Sequence, residues 1–185
     1  MSGRLLLVVG PSGAGKDSLL RYASAKLQSH DDVQFPRRII TRKADETETH
    51  LQVSTDEFRA LRDSGGLAFH WQAHGLYYGL PASITHAIAT GHQVVVNVSR
   101  RIVDELRSAY PCLVIEVTAP LEILSQRLTA RGREAEADIE QRLQRASDSK
   151  NLQADAVIVN DSSIIEAGER LVALILIRGN ASGAI

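Results

Sequence analysis

The run Gly10-Pro11-Ser12-Gly13-Ala14-Gly15-Lys16-Asp17-Ser18 carries the residue types needed to hold a polyphosphate, in the order that holding requires. Backbone N–H groups can wrap phosphate oxygens only where side chains do not obstruct, and Gly10, Gly13 and Gly15 keep the loop bare. Lys16 then supplies a cation for the terminal phosphates. The loop follows an apolar run at 5–9 and precedes a helical pattern, so a strand feeds it and a helix N-terminus adds partial positive charge. One position departs from the usual P-loop. The residue after the lysine is ordinarily Ser or Thr, whose hydroxyl binds Mg²⁺, and here it is Asp17, with Ser18 one place later. An acidic residue in the first helical turn can simply favour the helix dipole. Alternatively its carboxylate approaches Mg²⁺, directly or through water, and the sequence leaves both readings open.

Phosphoryl transfer needs further cations around the second substrate, because the protein contributes mainly orientation and charge stabilisation. Arg38 and Arg42 stand four apart in a segment that reads as extended, so their side chains can share one face. Arg131, Arg133, Arg142 and Arg145 flank Gly132 and an acidic stretch at 134–140, which reads as a hinged lid at about 131–141. Any one of these arginines could equally be a solvated ion pair. Their joint placement beside the loop favours a functional role for Arg42, Arg131 and Arg142. Tyr77-Tyr78-Gly79 offers phenolic donors, although packing accounts for one tyrosine of such a pair. His70 and His74 have a helical spacing in a stretch that reads as extended, which speaks against a zinc site. Asn160-Asp161 could meet the adenine of a nucleotide or cap the last helix.

The elements that must position these groups alternate along the chain. Near-continuous apolar runs at 5–9, 94–97, 113–117 and 156–159 read as buried parallel strands. Helical patterns at about 16–27, 81–90, 100–109, 121–130, 137–148 and 164–177 lie between and after them. The expected architecture is therefore α/β, a mostly parallel sheet with helices on both faces. Only the stretch 34–79 breaks the alternation, with short extended pieces around a helix starting near Ser54, where a substrate-binding insertion would sit. The core then comprises 1–33 and 80–178, and the small residues 179–185 are an expected disordered tail.

A chain of 185 residues that is 44% hydrophobic can bury one good core, and no composition break marks a second domain. With 21 basic and 22 acidic residues the net charge is −1, which argues against a nucleic-acid surface or an anionic membrane as partner. The single Cys112 excludes an intrachain disulfide and reads as a buried thiol. No signal peptide or membrane span is visible, so a cytoplasmic protein acting on a small molecule, as monomer or homodimer, is expected.

Taken together these motifs resemble the guanylate kinase superfamily over nearly the whole length. The matching residues are the P-loop, Thr41-Arg42, Val53-Ser54 before Glu57-Phe58, Tyr77-Tyr78-Gly79, Arg131-Gly132, Arg142-Leu143 and Val157-Ile158-Val159-Asn160-Asp161. The resemblance implies a three-layer P-loop kinase fold with ATP and Mg²⁺ at the loop. It places a substrate phosphate near Arg42 and Tyr78, Arg131 and Arg142 on the transferring phosphates, and Asn160 near adenine. The residues that read guanine in that family are replaced here by Arg38, His70 and Asn97, with Asp45 and His50 at two of its phosphate-binding positions. Loss of several base partners should cost orders of magnitude in guanine recognition.

Those departures are similar to a narrower family, the ribose 1,5-bisphosphate phosphokinases. Gly15-Lys16-Asp17-Ser18, Ile40-Thr41-Arg42, Glu48, His50 and Trp71-Gln72-Ala73-His74-Gly75-Leu76-Tyr77-Tyr78-Gly79 carry the likeness. It implies transfer of the ATP γ-phosphoryl to the 1-phosphate of ribose 1,5-bisphosphate. Arg38, His50, His70 and Asn97 would then serve a second phosphate and ribose hydroxyls. The competing expectations are a nucleoside monophosphate kinase and a non-catalytic module, the latter opposed by the converging cations.

Overall fold

The computed structural model describes residues 3–42, 50–73, 75–131 and 152–177. In chain order the first half forms β1 (Arg4–Val9), α1 (Lys16–Lys26), β2 (Val33–Gln34), β3 (Ile39–Ile40), β4 (Leu51–Gln52), α2 (Thr55–Asp63), β5 (Leu67–Ala73) and β6 (Leu76–Pro81). Then come α3 (Ser83–Ala89), β7 (Gln93–Asn97), a 3₁₀ turn (Arg100–Ile102), α4 (Val103–Ala109), β8 (Cys112–Thr118), α5 (Leu121–Arg131), β9 (Ala156–Val159) and α6 (Ile164–Leu176).

β1 is apolar on both faces because both faces are covered. Leu6 and Val8 point into one core with Leu19 and Ala23 of α1, Leu124 of α5 and Leu171 of α6. Leu5, Leu7 and Val9 point into the other, with Ile84 and Ile88 of α3 and Val103 and Leu106 of α4. Around β1 the sheet runs β2-β7-β1-β8-β9, every pairing parallel. All strands therefore end on the same edge, where the P-loop leaves β1, and ligands bind in such a crevice.

The fifth strand, β2, is absent from the sequence expectation. Two residues are too few for periodicity to register, yet Gln34 pairs with Val94 in the core sheet. Gln34 thus belongs to the core sheet, and the second sheet, ordered β4-β3-β6-β5, spans Ile39 to Pro81. Its helix α2 starts at Ser54, whose side chain accepts from the Glu57 N–H while Glu57 accepts from the Ser54 N–H. Phe58 of that helix packs on Tyr77, with ring centroids 5.5 Å apart.

One side chain acts as a strand residue. β9 begins only at Ala156, so the Val114 N–H of β8 would meet nothing; the Asp155 carboxylate takes it at 2.6 Å and holds Arg107 at 2.9 Å. The helix expected at 137–148, most of the lid and the tail lie outside the described residues.

Candidate active site

The P-loop needs its glycines for two different reasons. Gly10 has φ +141°, and a Cβ there would lie 1.9 Å from the Val117 carbonyl oxygen of the neighbouring strand. Gly15 has φ +88° and caps α1, and a Cβ there would lie 2.4 Å from Asn160 Nδ2. That carboxamide is 3% exposed and donates to the Ala14 carbonyl at 2.8 Å, tying the strand β9 exit to the loop. Lys16 Nζ donates to the carbonyls of Gly10 and Pro11, each at 2.8 Å, which holds the ammonium across the loop mouth. The last helix is capped not by Asn160 but by Ser163, which accepts from the Glu166 N–H at 3.2 Å.

Beside the loop lies a cleft of about 430 Å³ between α1, the segment after β2, and β7. Arg38, His50 and Asn97 line it together, joined by Asp17, Arg21 and Arg37. His50 and Asn97 are buried. His50 Nε2–H donates to the Arg42 carbonyl at 3.1 Å, which pins the chain after β3 against the cleft. Asp17 Oδ1 accepts from Asn97 Nδ2 at 2.9 Å and stands 3.9 Å from Arg38 Nη2. The carboxylate after the P-loop lysine thus sits where the loop and the cleft meet.

Other expected groups are not brought into this cleft. The chain bends at Thr41 and Arg42, so the alternation that would align Arg42 with Arg38 ends at Ile40, and the Arg42 side chain is exposed outside the cleft lining. In the second sheet Trp71 pairs with Tyr78 and His70 with Gly79. Paired residues share a face and neighbours alternate, so exposed His70 lies on the opposite face from Tyr78. Tyr78 is instead stacked on Trp71, centroids 5.2 Å apart at 11°. Arg131 closes α5, while its side chain, Arg142 and His74 fall outside the described residues. Arg127 is a contact the sequence reading missed. Its guanidinium donates to the Gly13 carbonyl at 3.4 Å, and the signal was its position one helical turn before Arg131.

A family model described as guanylate kinase matches residues 2–175. The chain belongs to the guanylate kinase family. Relatives named ribose 1,5-bisphosphate phosphokinase PhnN identify the branch. The one from Bradyrhizobium diazoefficiens is 47% identical over 94% of this chain and 88% of its own, and that of Acidiphilium cryptum is 49% identical over 95% and 93%. The Pseudofrankia inefficax relative is 46% identical over 98% and 94%. Guanylate kinase from Anaplasma phagocytophilum shares the fold, with a TM-score of 0.67, 22% identity, and coverage of 94% of this chain and 85% of that one. The chain is a kinase with an α/β P-loop fold, as its motifs indicated. No described helix is long and apolar enough to cross a membrane.

Kinases of this kind use a nucleotide with its divalent cation, and the donor set fits one. Mg²⁺ takes one or two carboxylates together with substrate phosphates, and Asp17 stands directly after Lys16. Its contacts with Asn97 and Arg38 both run to Oδ1.

Proposed function

We propose that this kinase transfers the γ-phosphoryl group of ATP to the 1-phosphate of ribose 1,5-bisphosphate, giving 5-phosphoribosyl 1-diphosphate and ADP. The relatives' names support the substrate. The observation that carries it is the grouping of Arg38 and His50 with Arg21 and Arg37 in one cleft beside the P-loop. Guanine presents N–H donors along its recognised edge and needs acceptors opposite. This cleft offers two arginines, a further Arg38 guanidinium and an imidazole, which suit phosphate oxygens instead.

The loop amides and Lys16 hold the β- and γ-phosphates, the ammonium exchanging the Gly10 and Pro11 carbonyls for phosphate oxygens. Asp17 would hold the Mg²⁺ that accompanies ATP, and that ion would supply charge neutralisation to the phosphates. Arg38 and His50 hold the 5-phosphate, which orients the 1-phosphate toward the γ-phosphorus. An oxygen of the 1-phosphate forms the new bond to that phosphorus as its bond to the β–γ bridging oxygen breaks, and ADP leaves with the electron pair. The attacking oxygen is already ionised, so no general base is required. Arg131 and Arg142 retain their expected role of neutralising the transferring phosphoryl.

ADP release from ATP, measured with ribose 1,5-bisphosphate and with GMP, tests the reading. The sugar should win by roughly 10²-fold or more in kcat/KM, the scale of a site that pairs one substrate's polar groups and strands the other's. Comparable or faster turnover with GMP would refute it. Arg38→Ala should raise KM for the sugar roughly 10-fold or more, since a charge-assisted hydrogen bond contributes about 1.5–3 kcal/mol. KM for ATP should hold.

A further inference from the structure

P-loop enzymes commonly hold Mg²⁺ between two positions: the residue after the P-loop lysine, a Ser or Thr hydroxyl, and an Asp at the end of the strand beside the loop strand. Both positions are identifiable here. The first is Asp17. The second is Asn97, the last residue of β7, which pairs with Val8 of β1 in the strand register. The two side chains touch, with Asn97 Nδ2 donating to Asp17 Oδ1 at 2.9 Å. In the common arrangement the helix residue carries the hydroxyl and the strand residue the carboxylate. Here the helix residue carries the carboxylate and the strand residue is neutral and donates to it.

We infer that Asp17 and Asn97 are a reciprocal exchange of the metal site's carboxylate, moved from the strand end to the first turn of α1. The site keeps one negative charge, now on the other partner, and Asn97 orients it. This assigns Asn97 as a positioning residue for the metal rather than a direct sugar contact. It also accounts for Arg38, whose Nη2 lies 3.9 Å from the same Oδ1. Relocating the charge to the helix places it between the nucleotide loop and the acceptor cleft, within reach of a cation that belongs to the acceptor side. Two carboxylates at these positions would repel at hydrogen-bond distance, and none would leave the metal with phosphates and water alone.

The inference deepens the proposed ATP-dependent reading, and its test needs no sugar. Mn²⁺ stands in for Mg²⁺, and its binding to the full chain with a non-hydrolysable ATP analogue is followed by the electron paramagnetic resonance signal of free Mn²⁺. Asp17→Ser and the isosteric Asp17→Asn should each weaken Mn²⁺ binding roughly 10-fold or more, the range seen when metal-site partners are removed. Adding Asn97→Asp to Asp17→Ser rebuilds the common arrangement and should recover most of that loss. Thermal unfolding of each variant reports folding, and Asp17→Asn preserves side-chain shape should Asp17→Ser prove unstable. Wild-type Mn²⁺ affinity in Asp17→Asn overturns the inference, as does a folded double variant no better than Asp17→Ser. Neither result depends on the acceptor, so failure here is separable from failure of ribose 1,5-bisphosphate as substrate.

Discussion

At the scale of single residues, Asn160 ties the exit of β9 to the P-loop through one buried amide. Its Nδ2 holds the Ala14 carbonyl at 2.8 Å, and its own N–H holds Thr118 O at 2.7 Å. Asn160→Ala leaves the Ala14 carbonyl without its donor beside a loop whose shape is its function. KM for ATP should rise roughly 10-fold, the equivalent of losing about 1–2 kcal/mol from a buried hydrogen bond, while KM for the sugar holds. Equal KM values for ATP in variant and wild type would show the clamp to be dispensable. Lys16→Ala should lower kcat roughly 10²-fold or more, the effect of removing one donor to transition-state charge. Cys112 is half-buried, and burial pushes its thiol up to about 11, so it stays protonated and unreactive at neutral pH. A folded-state value above the ordinary 9.0 means its contribution to stability is complete below pH 9 and fades as pH rises toward 11. Alkylation at pH 7.5 should therefore be slow in the folded chain and fast once it is denatured.

At the scale of elements, register and bends decided which side chains meet. The bend after β3 separates Arg42 from Arg38, and the β5–β6 register separates His70 from Tyr78. The first depends on where β3 stops pairing with β4 and β6, and the second on the register set by the β5–β6 hairpin turn. The β8–β9 junction depends on Asp155. Asp155→Ala removes acceptors from the Val114 N–H and Arg107 together, and should lower unfolding free energy by about 2 kcal/mol. Chemical denaturation reads this as a lower midpoint with an unchanged slope; an unchanged midpoint would mean the strand end is held by other means. The N-cap of α2 was legible without the fold, because a capping box spans only Ser54 to Glu57.

At the scale of the whole molecule, the sheet divides the interior into two cores and places the P-loop and the cleft beside it on one edge. Overall charge is close to neutral, yet the cleft gathers Arg21, Arg37, Arg38 and His50 around a single Asp17. A doubly anionic ligand bound there should stabilise the entire fold. At 100 times its Kd, ribose 1,5-bisphosphate should add about 2.7 kcal/mol to unfolding free energy, visible as a rise in Tm that GMP at equal concentration does not produce. Equal rises with both compounds would mean that the cleft does not discriminate.

The P-loop, the parallel strands, the family likeness and the cap of α2 were written in the sequence, because each rests on residues close together in the chain or on motifs with fixed spacing. Tertiary structure decided what stood next to what: Asn97 against Asp17, Asn160 against Ala14, Arg127 against Gly13, and β2 beside β7. These contacts join residues far apart in the chain, and their existence depends on strand order and helix placement, which only the packed core determines.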